Sequence, residues 1–274
     1  MSTTSTRLNP YYEKNGITIH CGDNCEVMGS LSPESIDLVV TSPPYDDLRE
    51  YGGHGWDFYG VAWLLKRLIK PGGIIVWVVA DETVKGSETG SSMEQALHFR
   101  RIGLRLHDTM IWNKGSFTAV GSVQIRYGPS TEFMFVFAKG KPKTFNPIRD
   151  RPNIHAGSKP HGLVRLPSGE MLRKTHDRRT VSDHGIRFNI WTIPPEQSNS
   201  NRFHPAQFPE SLARDHILSW SNEGDVVLDP FNGSGTTTKV ARALGRRSVG
   251  IEINEEYCQI AVKRLRQELL DFAS

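Results

Sequence analysis

The chain of 274 residues holds only three cysteines, Cys21, Cys25 and Cys258, with no CxxC pair and no Cys/His cluster at zinc-ligand spacing. A disulfide framework and a structural zinc site are therefore not what organises it, and ordinary reduced thiols are expected. Long apolar runs are also missing. The longest are Ile74–Ala80 and Phe133–Ala138, far short of the ~20 residues that span a bilayer. The N-terminal stretch Met1 to Gly16 is polar and has no apolar signal core, so a cytoplasmic location is expected. Neither GxGxxG nor GxxxxGK[ST] occurs, which removes the main support for nicotinamide or ATP chemistry. There is no internal repeat and no low-complexity tract.

What is present suits a sizeable core. The apolar fraction is 37%, with 25 Gly and 16 Pro, and the length favours one large α/β or β domain with an inserted subdomain. The net charge of +3 is unevenly spread. From Lys139 to Arg187 there are 12 Lys and Arg against four acidic residues, an excess of eight, together with four of the ten histidines. This is the patterning of a face for a polyanion, or of a solvated insertion.

Strands and helices alternate. Ile17–Cys21, Ile36–Val40 and Ile74–Val79 read as strands, the second as a near-continuous apolar run of the kind buried on both faces of a parallel sheet. Asn24–Ser30, Val61–Ile69 and Met93–Arg101 read as helices, and Pro71-Gly72-Gly73 is expected to stop the second. Leu104–Trp112 and Glu132–Ala138 look like a β pair, and the stretch from Lys141 to Phe203 looks irregular. Pro209–Trp220, Thr236–Leu244 and Glu255–Leu270 read as helices, Val226–Asp229 and Ser248–Glu252 as strands. The expected fold is α/β, a doubly wound, mostly parallel sheet.

Two motifs carry the chemistry. In Val226–Thr237, VVLDPFNGSGTT, a strand runs through Asp229 into a turn holding Gly233 and Gly235, then into a helix. The glycines let the turn tighten and let a ligand approach the backbone. A carboxylate at that place repels phosphate and suits a cationic ligand such as an ammonium group. Glu252 ends the next strand, 23 residues on, where an acid commonly takes the hydroxyls of a ribose. Thr41-Ser42-Pro43-Pro44-Tyr45 follows the strand Ile36–Val40. Its prolines remove two N–H donors and fix the backbone, leaving carbonyl oxygens, a hydroxyl and an aromatic face, a set able to accept hydrogen bonds from an exocyclic amino group and to stack on its base.

TSPPY and DPFNGSGTT, in that order and separated by a basic segment, resemble the β-class amino-methyltransferases that act on DNA. The resemblance runs from Ile17 to about Leu270. It includes Gly22-Asp23, His204-Pro205-Ala206-Gln207-Phe208-Pro209 and Gly250-Ile251-Glu252. It implies S-adenosylmethionine as methyl donor, a circularly permuted seven-stranded Rossmann-like sheet, and three regions: a catalytic half over 1–140, a basic target-recognition insert over 141–203 and a cofactor half over 204–274. Carried over by motif, Asp229, Pro230, Phe231, Gly233, Ser234, Gly235 and Thr236 would surround the methionine part, with Ser42 beside them. Glu252 would hold the ribose, Asp23 would meet the adenine, and His204, Pro205, Ala206 and Phe208 would close the other side. Ser42, Pro43, Pro44 and Tyr45 would be the catalytic set. The expected partner is double-stranded DNA, in a bacterial, archaeal or phage-encoded setting. A homodimer and a cognate restriction endonuclease on a separate chain stay open.

Chemically, a methyl group on sulfonium is already activated, and the protein has only to present the nitrogen in line. Hydrogen bonds from the amino group to Ser42 and the Pro43 carbonyl would expose the nitrogen lone pair. The target base would have to be flipped out of the duplex. None of the three cysteines follows a proline, so carbon-5 methylation of cytosine drops away. In the family that the sequence resembles, SPPY leans toward the N4 of cytosine and DPPY toward the N6 of adenine, with exceptions, so the resemblance puts cytosine-N4 first and adenine-N6 as the alternative. An RNA methyltransferase and an inactive nucleic-acid-binding relative are weaker readings. A protein-amide enzyme would use an NPPY-type tetrad. The loop Asp46–Trp56 is expected to fold over the base, with Arg49 and Tyr51 touching DNA. Lys114, Arg149, Arg151, Arg165, Arg173, Lys174, Arg178 and Arg179 are candidates for phosphate or guanine contacts.

Overall fold

The computed structural model describes residues 9–44, 56–116, 126–159, 163–173, 180–195 and 209–271. Along the chain run β1 (Tyr12–Lys14), β2 (Ile17–Cys21), α1 (Asn24–Ser30), β3 (Ile36–Thr41), α2 (Phe58–Leu68), β4 (Ile69–Val79), β5 (Thr83–Val84), β6 (Ser87–Glu88), α3 (Ser91–Arg101), β7 (Arg105–Asn113) and β8 (Thr131–Ala138). Then come β9 (Arg151–Pro152), β10 (Leu163–Arg165), β11 (Met171–Arg173), β12 (His184–Gly185), β13 (Ile190–Thr192), α4 (Glu210–Trp220), β14 (Val226–Asp229), α5 (Thr236–Ala243), β15 (Arg247–Glu252) and α6 (Glu255–Asp271). The chain forms two compact units, Met1–Asn146 with Asn189–Ser274, and Pro147–Phe188.

The first unit is built on one sheet in the order β1-β2-β15-β14-β3-β4-β8-β7-β13. The run from β2 to β4 is parallel throughout. β8 is antiparallel to both β4 and β7, β1 is antiparallel to β2, and β13 is parallel to β7. The sheet thus has nine strands, not the expected seven. The added edges include β1 and β13, three residues each, too short to show a period.

All six residues of β3 are buried, as a central parallel strand covered on both faces requires. Ile75, Trp77 and Val79 of β4 pack with Val27 and Met28 of α1, Val61 and Leu65 of α2, and Phe99 of α3. The alternating residues Ile74, Val76 and Val78 are buried as well, so the other face is also covered. There Ile17 and Ile19 of β2 meet Cys258 and Leu265 of α6.

Two local expectations need correction. Pro71-Gly72-Gly73 does not separate α2 from a strand; β4 begins at Ile69, directly after the helix, and contains all three residues. The pairing with β3 is irregular there, passing from Ile36–Ile69 to Leu38–Ile74, and polar contacts surround the irregularity. Buried Asp37 on β3 takes Lys70 at 2.6 Å, Lys143 at 2.7 Å and the Val226 N–H at 3.0 Å, and a Cβ at Gly73 would lie 2.8 Å from the Asp37 carbonyl oxygen. The lysines hold the Asp37 carboxyl below the usual range although burial opposes them. The stretch 141–203 is also less irregular than expected, since it carries β9 to β13.

In the second unit β9 pairs with β12 and β10 with β11, both antiparallel. Arg187 pairs with Asp150 there, and the Arg151 guanidinium lies 4.6 Å from the Phe188 ring centre. No helix among the described residues is long and apolar enough to cross a membrane.

Candidate active site

Parallel strands deliver their carboxyl ends to one edge, where open α/β sheets place ligands. Register fixes the neighbours: Glu252 lies opposite Cys21, Asp229 opposite Gly250, and Leu228 opposite Val39. The edge therefore presents, in order, Gly22-Asp23 after β2, Glu252 at the end of β15, Asp229 at the end of β14 with Pro230-Phe231 after it, and Thr41 at the end of β3 with Ser42-Pro43-Pro44 after it.

The two sequence motifs meet here. The Thr41 hydroxyl donates to Asp229 Oδ1 at 2.7 Å, and the Thr237 hydroxyl, from the start of α5, donates to the Val40 carbonyl at 3.2 Å. Phe231 N–H donates to Asp229 Oδ1 at 3.0 Å. Burial pushes the Asp229 carboxyl up to about 6 in spite of these donors. Glu252 is raised in the same direction by burial. Its Oε2 accepts from Gly233 N–H at 2.8 Å and its Oε1 from Asn254 N–H at 2.9 Å. Both acids, at the ends of adjacent strands, are thus aimed by backbone donors in the turns beyond those strands.

Packing explains the glycines. Gly235 has φ +85° and a Cβ there would lie 2.9 Å from that of Ala261. A Cβ on Gly250 would lie 2.6 Å from Asn232 Cγ. The turn is also held from behind. Arg264 of α6 donates to the Ser234 carbonyl at 2.8 Å, to its hydroxyl at 2.9 Å and to the Thr236 hydroxyl at 3.4 Å. Its guanidinium reaches Glu210 at 2.7 Å, which Lys239 also reaches at 2.7 Å. The side chains of Ser234 and Thr236 are therefore bonded into the protein.

Phe231 packs on Trp56 at 5.0 Å and on Trp77 at 6.3 Å. Asn24 donates to the Pro230 carbonyl at 3.3 Å, and Gly22 N–H to the Glu252 carbonyl at 2.9 Å. Asp23 is exposed and caps α1 through Glu26 N–H at 2.9 Å. Ser42 and Pro44 are half-buried and Pro43 is buried.

Of the remaining candidates, Tyr45, Arg49, Tyr51, Lys174, Arg178, Arg179, His204, Pro205, Ala206 and Phe208 lie outside the described residues. Lys114 is paired with Glu132 at 2.5 Å and sits over the Trp112 ring. In the second unit Arg149 and Arg165 are exposed, Arg151 donates to the Ile186 carbonyl at 3.1 Å, and Arg173 is described only as the backbone partner of Leu163. The reading from sequence missed Asn24, Thr237 and Arg264, and marked Trp56 only as the end of the loop Asp46–Trp56. Only Thr237 carried a signal, being inside the DPFNGSGTT motif; the others gain their roles from contacts between distant segments.

The chain matches the DNA methylase family over residues 36–263. It is 51% identical over 243 residues to the orphan methyltransferase M.BamHII of Bacillus amyloliquefaciens, covering 86% of this chain and 91% of that relative. The cytosine-N4-specific PvuII DNA methyltransferase superposes with a TM-score of 0.70 at 24% identity, over 93% of this chain and 88% of that one, a likeness of fold. TTHA0409 of Thermus thermophilus, solved as a complex with S-adenosyl-L-methionine, superposes with a TM-score of 0.60 at 29% identity, over 91% of this chain and 95% of that one. On the motifs, the edge geometry and these matches, the chain belongs to the DNA methylase family, the amino-methyltransferases its sequence resembles.

Proposed function

We propose that this protein transfers a methyl group from S-adenosylmethionine to the exocyclic N4 of a cytosine flipped out of double-stranded DNA. The observation that carries the reading is the 2.7 Å hydrogen bond between Thr41 and Asp229, which seats the Ser-Pro-Pro segment beside the glycine turn.

The residues at the edge fit the cofactor. It carries a sulfonium and an ammonium at one end, a ribose diol in the middle and a planar base at the other. Across four adjacent strand ends, a span of roughly 14 Å, stand Ser42, Asp229, Glu252 and Asp23. Asp229 and Phe231, with Pro230, Gly233, Ser234, Gly235 and Thr236 forming the turn, would take the methionine part. Glu252 would take the ribose hydroxyls and Asp23 the base. His204, Pro205, Ala206 and Phe208 would cover the opposite side. When bound, the cofactor supplies a methyl group already activated as a sulfonium.

The chain's own residues then have to hold the nitrogen. Ser42 and the Pro43 carbonyl accept hydrogen bonds from the amino protons, which returns the nitrogen lone pair from the ring, and Tyr45 stacks on the base. Pro44 keeps that backbone rigid. A neutral serine both accepts from the amino group and donates to the neighbouring ring nitrogen, which cytosine offers. The layout is a permuted one, with the catalytic half in 1–140, target recognition in 141–203 and the cofactor half in 204–274. Arg149, Arg151 and Arg165, with Arg173, Lys174, Arg178 and Arg179, would meet DNA in that middle region, as would Arg49, Tyr51 and Lys114 from the catalytic half.

The test is to incubate duplex DNA with the protein and S-adenosylmethionine, digest to nucleosides and identify the product by mass. 4-Methylcytosine supports the proposal; 6-methyladenine overturns the choice of base; no modified base overturns the reaction. Ser42→Ala should lower kcat by about a hundredfold, far more than it weakens cofactor binding.

A further inference from the structure

We infer that Cys21 and Cys258 form a site of reversible oxidation, at which a hydroperoxide converts the two thiols into a disulfide beside Glu252. Alternation along β2 puts Cys21 on the same face as Ile17 and Ile19, and those two residues pack on Cys258 and Leu265 of α6. Register places Cys21 opposite Glu252. The Glu252 carbonyl accepts from Gly22 N–H at 2.9 Å and from the Cys258 thiol at 3.5 Å. The Cys258 sulfur and the amide that follows Cys21 therefore meet at one oxygen, and the two thiols interact directly through a hydrogen bond. Cys25 belongs elsewhere. It packs on the opposite face of the sheet, against the core that holds Val27 and Val61.

The two thiols differ as the chemistry requires. Cys21 is exposed and Cys258 is buried. Burial, and then Cys21 and the nearby acids, push the Cys258 thiol up, so Cys21 is the sulfur that meets the oxidant as a thiolate. It attacks one oxygen of hydrogen peroxide, the O–O bond breaks, and the hydroxide that leaves becomes water with the proton Cys21 gave up. Cys21 is then a sulfenic acid, and its negative charge no longer opposes ionisation of Cys258. The Cys258 sulfur attacks the Cys21 sulfur, the S–O bond breaks, and hydroxide leaves with the Cys258 proton as a second water. One peroxide is reduced and two thiols are oxidised to one disulfide.

The consequence falls on Glu252. Cys258 N–H donates to the Asn254 carbonyl at 3.0 Å, and Asn254 N–H holds Glu252 Oε1 at 2.9 Å. A disulfide draws the first turn of α6 toward the end of β2 and takes the thiol donor from the Glu252 carbonyl, so the carboxylate loses its set direction. Resting on the reading of Glu252 as the acid for the ribose, the structure assigns to this oxidation a loss of cofactor affinity.

Peptide mapping tests the site without the cofactor. The full chain, reduced and then freed of reductant, is exposed to hydrogen peroxide, alkylated in denaturant and digested. The expected product joins the Cys21 and Cys258 peptides, lighter by two hydrogens, with Cys25 alkylated, and dithiothreitol reverses it. Cys258→Ala should stop the reaction at the Cys21 sulfenic acid, which dimedone captures. Because that variant alters the core, mapping of the wild-type chain decides: three alkylated thiols after peroxide, a Cys21–Cys25 link or a Cys21 sulfonic acid would overturn the inference. Calorimetry reads the consequence. The oxidised protein should bind S-adenosylmethionine about tenfold more weakly or worse, as loss of one hydrogen bond to a charged group gives, and dithiothreitol should restore the affinity. An unchanged Kd would overturn the coupling to Glu252, whereas reduced protein that takes up no S-adenosylmethionine would overturn the proposed function and leave the mapped disulfide standing.

Discussion

The Thr41 hydroxyl and the Asp229 carboxylate, 188 positions apart, share a hydrogen bond of 2.7 Å. It forms because β14 lies directly beside β3, so the last residues of both strands emerge together. An acid wholly withdrawn from water is costly unless donors reach it. Thr41 and the Phe231 N–H are two of those donors, and they fix which way the carboxylate points.

Thr41→Val removes one donor and keeps the shape. A buried acceptor left short of a partner costs about 1–3 kcal/mol, which urea unfolding will show as a lower midpoint. Loss of a hydrogen bond to the ionised form also moves the Asp229 carboxyl above its present value of about 6. Thr41→Ser, which retains the hydroxyl, should recover most of the loss; equal damage from both variants would make the methyl group the contact that matters.

Burial of Asp229 makes stability depend on pH and, on the proposed role of this acid toward the cationic end of the cofactor, cofactor binding as well. The folded value of Asp229, about 6, stands above the ~3.9 of an unfolded aspartate. The folded state thus keeps a proton that the unfolded chain releases between these values. Its contribution to stability is complete below ~4 and is lost as pH rises through about 6, and Glu252, raised by burial too, acts with the same sign. A cationic cofactor prefers the ionised carboxylate. The Kd for S-adenosylmethionine, followed by calorimetry, should therefore fall by up to about tenfold per pH unit between pH 5 and 6. Asp229→Asn should flatten that slope at weaker affinity.

Gly250→Ala places a methyl group 2.6 Å from Asn232 Cγ. Forcing a group into a filled site costs about 1–3 kcal/mol, visible as a lower Tm. The double variant Gly250→Ala/Asn232→Ala should regain part of it, since the two residues are in contact. Additive losses would place the strain elsewhere.

Arg264→Met takes away the cation behind the glycine turn and leaves the Ser234 carbonyl and hydroxyl without that donor. Stability should drop by about 1–3 kcal/mol, and cofactor affinity should weaken with DNA affinity unchanged. A variant with normal cofactor affinity would show that the turn holds its shape alone.

Arg165 is exposed in the second unit. If it meets a phosphate, Arg165→Ala lowers the slope of log K against log salt by about one and weakens all DNA sequences alike; a change in target sequence at constant slope would assign it to a base instead.

Most of the elements were legible because strands buried on both faces leave unbroken apolar runs. Val226–Asp229 has the boundaries expected from its apolar run, and Ile36–Val40 gains only Thr41. The local reading failed where a distant partner sets the conformation. α2 does end before Pro71-Gly72-Gly73, but these residues lie inside β4 as an irregularity, where the pairing with β3 passes from Ile36–Ile69 to Leu38–Ile74. Ile190–Thr192 is a strand only because β7 is there to accept it. The candidate site divides in the same way. The motifs name Ser42, Asp229 and Glu252, whereas Trp56 and Arg264 stand among residues that no spacing marks.

Periodicity and the two motifs determine by themselves an alternating α/β chain with an acid-bearing glycine turn and a Ser-Pro-Pro tetrad. They do so because solvent exclusion and backbone freedom are written residue by residue. That these two stretches share an edge was decided by strand order, with β14 seated between β15 and β3. The order depends on the packing of whole faces against one another, a property of the assembled sheet that no local window contains.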